Sequence, residues 1–184
     1  MADGDDKLLT LADYRRAALS ALSATAWRYF RSGADAEATL RENVRAYSRW
    51  QIWPRVLVDV AERDLSTTLL GAAASMPVMI APTAYHKLAH PDGELATARA
   101  AAAAGVVMCA ATLATTSLEA IAATTPAPKW FQLYVHRDEG LTAAMVERAA
   151  EAGYRALVIT VDTAVLGRRL GDERYGFSLP PSLS

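Results

Sequence analysis

The chain has 184 residues, of which 52% are hydrophobic and 21% are charged, a composition typical of a globular protein with a buried core. Its 19 Lys and Arg residues nearly balance its 20 Asp and Glu residues, so no broad charge favours nucleic acid or an anionic membrane. The single cysteine, Cys109, excludes an internal disulfide and disfavours a thiolate metal site. Because the acidic N-terminus also lacks an apolar signal segment, we expect a cytoplasmic, untargeted protein.

The first domain predicted from the sequence, residues 1–75, is an N-terminal helical segment with a short hairpin. Apolar residues recur every three or four positions over residues 11–32, which predicts one or two amphipathic helices. A second helical pattern runs from Asp35 and ends at Pro54. Residues 55–60 (RVLVDV) and 66–71 (STTLLG) are predicted as short strands joined by the polar turn AERD.

The second predicted domain, residues 76–184, alternates apolar runs with Ala-rich helical segments. The runs MPVMIAPTA, VVMCAAT, KWFQLYV and ALVITVDT are nearly continuous in apolar residues, which is typical of parallel strands covered on both faces. Four consecutive β/α units predict an α/β fold, the first half of a (β/α)8 TIM barrel, because a closed barrel needs about 250 residues. The closing segment GDERYGFSLPPSLS is predicted as a mobile polar loop without a helix or strand. We therefore expect the rest of the barrel on a second chain or a continuation of this one.

Polar side chains follow the predicted strands at their carboxyl ends, where barrel enzymes carry their reactive groups. Amide, hydroxyl and phenol groups with one carboxylate suit a flat polar heterocycle better than a metal ion, which favours clustered His, Cys or carboxylates. The polar residues at these strand ends are Thr83, Thr112, Gln132, Tyr134, Thr160 and Asp162, and Pro82, Ala84 and Ala111 lie among them.

Three motifs resemble the FMN-dependent 2-hydroxy acid oxidase and dehydrogenase family, which includes glycolate and lactate oxidases and mandelate dehydrogenase. The motifs are MPVMIAPTAYHKLAHPDGELATARAAAAAG, FQLYV and ITVDTAVLGRR, and the likeness extends back through RVLVDV to YFRSGA. The resemblance implies an FMN-binding β/α barrel, of which this chain matches the N-terminal half.

The resemblance also implies which residues bind the flavin. Pro82, Thr83 and Ala84 match the backbone beside the ring, with the Ala84 amide near N5. Gln132 and Thr160 match the residues that bind its pyrimidine edge. Ala111 stands where many members have a serine that contacts the flavin, so that hydrogen bond is expected to be absent or replaced by one from Thr112.

The resemblance also implies which residues bind the substrate, and these come from both the N-terminal and the C-terminal parts of the chain. Tyr134 matches the phenol that faces the substrate, and Asp162 matches the carboxylate that pairs with a catalytic histidine. Tyr29 and Arg169 match the groups that bind the substrate carboxylate. The family's catalytic histidine and its second carboxylate-binding arginine have no match here, since His86, His90 and His136 fall at other positions.

The expected reaction is oxidation of an (S)-2-hydroxy acid to the 2-oxo acid, complete only with the C-terminal half. Leu113 stands where enzymes for small substrates often have an aromatic residue, which favours an aromatic or medium-chain, mandelate-like substrate. Ala84, where some dehydrogenases have Gly, favours oxygen as acceptor. A dehydrogenase or monooxygenase of the family, a flavin-dependent isomerase on the same fold, and a non-enzymatic half-barrel binding module remain alternatives. By analogy with the family, a homotetramer is expected.

Overall fold

The computed structural model describes residues 8–181 and 183. The helices are α1 (Leu11–Ala21), α2 (Ala24–Arg31), α3 (Ala38–Ala46), α4 (Gly93–Ala103), α5 (Leu118–Ala123), α6 (Glu139–Glu151) and α7 (Leu170–Tyr175). The strands are β1 (Thr67–Leu69), β2 (Ala72–Ala74), β3 (Met79–Ile80), β4 (Val107–Ala110), β5 (Lys129–Leu133) and β6 (Ala156–Ile159). Two compact units result: the first extends to Ile52 and includes Gly167–Pro180, and the second contains Trp53–Leu166 and the described residues from Pro181 on.

Helices α1 and α2 of the first unit begin at side-chain caps that the sequence provides. At α1, the Asp13 amide donates to Thr10 Oγ1 at 3.2 Å while Asp13 Oδ2 accepts from the Thr10 amide at 2.7 Å, a capping box. At α2, Ser23 Oγ accepts from the Ala26 amide at 3.2 Å. The helices predicted over residues 11–32 and from Asp35 are confirmed.

One predicted strand, residues 55–60, is wrong. These residues form no strand, and Leu57 has a left-handed φ of 59°, which interrupts an extended run. The hairpin instead joins β1 and β2 through Leu70 and Gly71, whose φ angles are 44° and 79°. Two consecutive positive φ angles are the requirement of a two-residue type I′ hairpin turn.

The second unit is built on a four-stranded parallel sheet in the order β3, β4, β5, β6. Its register pairs Ile80 with Met108 and Gln132 with Val158. Helices α4, α5 and α6 connect successive strands, so the predicted α/β fold with a parallel sheet is confirmed. Over the described residues the sheet is open, and a closed barrel is not seen.

Alternate residues of the central strands face opposite sides of the sheet. Phe131 and Leu133 pack in the core beneath the helices, whereas Trp130 packs with Val107 and Cys109 on the other face. Because side chains alternate along a strand, Gln132 lies on the same face as Trp130. The polar end of β5 therefore faces away from the helices.

The C-terminal segment contains a short helix, α7, where the sequence analysis predicted only a loop. Gly176 closes α7 in the left-handed conformation, and the Phe177 amide donates to Asp172 O at 2.9 Å. Six helical residues are too few for a periodic pattern to be recognised. The structure groups this segment with α1–α3, which differs from the predicted division at residue 75. Within the described residues, no helix has the length and apolar character needed to cross a membrane.

Candidate active site

Gln132 is the centre of a polar network at the carboxyl ends of β4, β5 and β6. Its side chain is buried, with 3% exposed, and buried amides require hydrogen-bond partners. Oε1 accepts from the Thr112 amide at 3.0 Å, and Nε2 donates to Thr160 Oγ1 at 2.8 Å. Because a backbone N–H can only donate, the Thr112 contact fixes which side-chain atom of Gln132 is the oxygen. Gln132 thus links the segments after β4 and β6.

The Thr112 hydroxyl extends this network along the end of β5. It donates to the Gln132 carbonyl at 2.6 Å and accepts from the Tyr134 amide at 3.1 Å. Its only proton is thereby used within the protein. The Thr112 hydroxyl thus fixes the backbone of Gln132 and Tyr134, and its contact with the flavin stays a prediction.

Two side chains of the network retain hydrogen-bonding capacity. Gln132 has a second amide N–H and a second carbonyl lone pair beyond the bonds described. Thr160 accepts from Gln132, so its own hydroxyl proton can be donated elsewhere. A donor and an acceptor side by side can bind the edge of a heterocycle that itself presents both.

The segments after β3 and β4 meet at the same edge of the sheet. Pro82 and Thr83 are exposed and Ala84 is half-buried. The next amide, that of Tyr85, donates to Leu113 O at 3.0 Å, which joins the two segments. Ala111 is buried with 5% exposed, whereas the Leu113 side chain is 40% exposed. The predicted flavin-binding residues of this unit thus share one edge.

Tyr134 and Asp162 lie just beyond the strand ends. Tyr134 follows the last residue of β5 and is half-buried, with its amide bound to Thr112. Asp162 is exposed and lies two residues after Thr160, whose amide donates to Leu133 O at 3.0 Å. This hydrogen bond continues the pairing of the backbone past β6 and defines where the exposed segment begins.

Tyr29 and Arg169 come together within the first unit. Arg169 Nη2 donates to the Tyr29 carbonyl and, at 2.8 Å, to Ser32 Oγ. The guanidinium carbon lies 4.7 Å from the centre of the Tyr29 ring, a cation–π distance. Arg169 Nε also lies 3.1 Å from Asp172 Oδ2. The sequence analysis did not single out Asp172, although its position in the first turn of α7 places it three residues from Arg169.

A second buried cluster, around Glu94, was missed by the sequence analysis. Glu94 is 1% exposed and accepts hydrogen bonds from His86, Thr115 and Thr116. Burial raises the pKa of Glu94, but the bonds from Thr115 and Thr116 outweigh it, so the net pKa is lowered. The available signal was a charged residue directly after Gly93 in the segment HPDGE.

The histidines make local contacts. His86 Nδ1 lies 3.0 Å from Thr97 Oγ1, His90 Nδ1 accepts from the Asp92 amide at 3.2 Å, and the His136 amide donates to Thr142 Oγ1 at 3.1 Å. Across residues 8–181 and 183, no group of three or more His, Cys, Asp or Glu side chains could hold a metal ion.

The chain is similar to known proteins over nearly its whole length. A family model described as FMN-dependent dehydrogenase matches residues 18–184. The chain is 48% identical to glycolate oxidase 1 of Zea mays over 97% of its own length, 49% identical to L-lactate oxidase of Nostoc sp. over 95%, and 46% identical to 2-hydroxyacid oxidase 1 of Homo sapiens over 96%. It covers 48%, 49% and 48% of these proteins respectively, so the chain spans about half the length of the curated relatives it matches.

Solved structures of mandelate oxidase superpose closely on the chain. One contains benzoyl-formic acid and another 3,3-difluoro-2-hydroxy-3-phenylpropionic acid. Both are 43% identical and match with a TM-score of 0.92 over 95% of this chain, which covers 52% and 53% of their chains.

Proposed function

This chain belongs to the FMN-dependent dehydrogenase family, and we propose that it forms half of an enzyme that oxidises an (S)-2-hydroxy acid to the 2-oxo acid. The observation that carries the proposal is the buried Gln132 side chain, which is fixed by Thr112 and Thr160 yet retains a donor and an acceptor. The relatives, which are glycolate, L-lactate and mandelate oxidases, support the reaction class.

The four parallel strands would be the first half of an eight-stranded β/α barrel. The superposition on mandelate oxidase over 95% of this chain, but only about half of that enzyme, supports this arrangement. The remaining strands would come from a continuation of the chain or from a second polypeptide. They would also close the open edges that β3 and β6 present.

The residues at the carboxyl edge of the sheet fit FMN. Gln132 and Thr160 would hold the polar edge of the flavin ring, and the backbone of Pro82, Thr83 and Ala84 would lie beside the ring, where small side chains leave room. Ala111 and Thr112 would support the same wall. When bound, FMN supplies a ring that accepts the hydride from the substrate's α-carbon.

Arg169 and Tyr29 would bind the substrate carboxylate. Within the described residues, the hydrogen bonds of Arg169 come from Nη2, and Nε lies 3.1 Å from Asp172 Oδ2 as an ion pair. The two N–H groups of Nη1 are further donors. A planar, permanently charged guanidinium suits a carboxylate. Asp172 holds the guanidinium in place. A substrate carboxylate would share the positive charge of the guanidinium with Asp172.

Tyr134 would bind the substrate hydroxyl, and Asp162 would orient a histidine from the remaining half of the barrel. A carboxylate beside an imidazole stabilises the imidazolium that forms when the substrate hydroxyl loses its proton. The main contribution of these residues is to position a bound acid against a fixed ring.

We further propose an aromatic or medium-chain substrate and oxygen as acceptor. The exposed Leu113 side chain and the structural likeness to mandelate oxidase support the first. The family members named oxidases support the second. The cytoplasmic location and the homotetramer stay predictions, the latter testable by light scattering.

The experiment is an anaerobic visible spectrum of the protein, purified in its natural full-length form, before and after addition of (S)-mandelate, glycolate or (S)-lactate. We expect a flavin band that mandelate bleaches and that air restores with formation of hydrogen peroxide. Bleaching by glycolate alone would contradict the aromatic substrate, and reoxidation only by an artificial electron acceptor would indicate a dehydrogenase.

Two other results would contradict the reaction itself. A flavin band that no 2-hydroxy acid bleaches would favour a different flavin enzyme on this fold. The absence of a flavin band, combined with an intact mass that reveals no further polypeptide, would favour a half-barrel binding module.

A further inference from the structure

Glu94 is a buried carboxylate whose partners among the described residues are hydrogen-bond donors of Thr and backbone groups and not cations. Its side chain is 1% exposed, and in the part of the chain that the structure describes no Lys, Arg or His forms an ion pair with it. A buried charge of this kind is costly unless hydrogen bonds compensate for lost hydration. The hydrogen bonds that this carboxylate accepts must therefore compensate for its burial.

The donors to Glu94 come from two segments that are distant in sequence. Oε1 accepts from the Thr115 amide at 2.8 Å and from the His86 amide at 3.2 Å. Oε2 accepts from the hydroxyls of Thr115 and Thr116 at 2.7 and 2.8 Å. The Lys87 amide in turn donates to Thr115 Oγ1 at 3.2 Å. One carboxylate thus joins the segment after β3 to the segment after β4.

The backbone around this carboxylate is tightly packed. Gly93 has a φ of 46°, and a Cβ there would lie 2.7 Å from Lys87 Cγ, closer than carbon atoms can approach. Glu94 itself is in the first turn of α4, where the helix dipole favours a negative charge. The left-handed φ and the close approach of Lys87 favour glycine directly before Glu94.

Both joined segments continue directly into the proposed flavin wall. The first leads back from His86 through Tyr85 to Ala84, and the second leads back from Thr115 to Thr112. The Tyr85 amide donates to Leu113 O at 3.0 Å between them. The spacing of the two wall segments therefore depends on how firmly residues 86 and 115 are held.

We propose that Glu94 is a positioning residue that holds the backbone after β3 and β4 in the spacing that FMN binding requires. It acts through the backbone and does not contact the cofactor. This inference rests on the proposed function, because the ligand of the wall is the flavin of that proposal.

The test compares Glu94→Gln and Thr115→Val with a matched control, Glu147→Gln, which alters an exposed glutamate of α6. Two quantities are measured on the full-length protein: backbone hydrogen exchange in the flavin-free form, and the FMN dissociation constant from flavin fluorescence. Glu94→Gln keeps the size of the side chain but removes the charge that strengthens its hydrogen bonds.

We expect Glu94→Gln and Thr115→Val to accelerate exchange at the His86, Lys87 and Thr115 amides and to raise the FMN dissociation constant about ten-fold, the cost of one charge-assisted hydrogen bond. Exchange at these three amides should accelerate more than exchange in β4 and β5, and Glu147→Gln should leave both measurements unchanged. A general loss of stability alone would accelerate exchange equally at all of these amides.

Three results would overturn the inference. Unchanged exchange at residues 86, 87 and 115 would show that the carboxylate does not hold the two segments. Faster exchange with an unchanged FMN dissociation constant would show that the flavin does not depend on their spacing. If the unaltered protein does not bind FMN, the proposed function fails and the flavin role of Glu94 fails with it, while the exchange data still decide whether Glu94 joins the segments.

Discussion

The two ends of strand β5 each carry a buried polar side chain, and they use it differently. At the amino end, Lys129 Nζ donates to Thr125 O at 2.6 Å, Ala127 O at 3.0 Å and Thr125 Oγ1 at 3.1 Å, with Ala122 O at 3.5 Å as a fourth acceptor, so its three protons are all used within the protein. At the carboxyl end, Gln132 makes two side-chain hydrogen bonds and retains one donor and one acceptor. The amino end is closed by internal bonds, whereas the carboxyl end can still bind a ligand.

This difference agrees with the general division of β/α folds, in which function collects at the carboxyl ends of strands and stability at the other end. Because Gln132 and Lys129 lie at opposite ends of one strand, their substitutions can be compared directly. Substitution of Gln132 should affect the ligand most, and substitution of Lys129 should affect folding.

The largest effect is expected from Gln132→Leu. Leucine fills a similar volume but cannot hold the flavin edge or accept from the Thr112 amide, so the FMN dissociation constant should rise about 100-fold, the equivalent of two lost hydrogen bonds. Flavin fluorescence titration measures it. The control is Gln132→Glu, which keeps the acceptor for Thr112 and should fall between leucine and the unaltered protein. An unchanged dissociation constant for Gln132→Leu would remove this residue from the flavin site.

Lys129→Met should lower the free energy of unfolding by about 2 kcal/mol and leave the FMN dissociation constant unchanged. Methionine retains the apolar stem but leaves the carbonyls of Thr125 and Ala127 without their donor, and a lost bond to a charged group costs about 1.5–3 kcal/mol. Burial lowers the pKa of Lys129 because it penalises the charged form. This cost offsets part of the stability that its hydrogen bonds contribute. Urea unfolding measures the effect, with Arg155→Met, an exposed neighbour of β6, as control. A large change in FMN affinity would contradict the separation of the two ends.

The pH dependence of stability should depend on Glu94. Although its burial raises the pKa, the hydrogen bonds from Thr115 and Thr116 lower it below the ordinary value of 4.5. The folded state therefore binds the proton less readily than the unfolded chain. The resulting contribution to stability is fully present above about pH 4.5 and is lost as the pH falls through the lower folded value.

Urea unfolding at a series of pH values checks this sign. The stability advantage of the unaltered protein over Glu94→Gln should be constant near neutral pH and should shrink in acid. Other carboxylates also titrate there, and the subtraction removes their common contribution. An advantage that instead grows in acid would mean that burial outweighs the hydrogen bonds.

The sequence could predict the parts of this molecule that depend on local patterns. Continuous apolar runs identified β4, β5 and β6, and because parallel strands end at one edge, Thr112, Gln132 and Thr160 could be placed together. Neither the Glu94 cluster nor the pairing of Arg169 with Asp172 could be predicted in this way. The Glu94 cluster depends on contacts between distant segments. The Arg169 pairing depends on a helix of six residues, for which no periodicity exists.

The prediction of residues 55–60 as a strand failed for a related reason. Their β-branched and apolar residues suit a strand, but β-propensity reflects packing against neighbours, not backbone preference alone. Val56 and Val58 are 80% and 55% exposed, so too little packs against them to favour the extended form. The Ala-rich β2 has low propensity but forms a strand because the turn at Leu70 and Gly71 pairs it with β1.

The smallest effect is expected at the ion pair between α5 and α6. Arg148 donates to both carboxylate oxygens of Glu119, at 2.8 and 3.0 Å, and this bond lowers the pKa of Glu119 to about 2. Both side chains are 51% exposed, so water and salt screen their attraction. Glu119→Gln should leave the urea midpoint within experimental error, and any residual difference should disappear in about 1 M salt. A loss as large as that of Lys129→Met would mean that charge pairing, and not burial of the polar group, decides how much a polar side chain contributes to the stability of this unit.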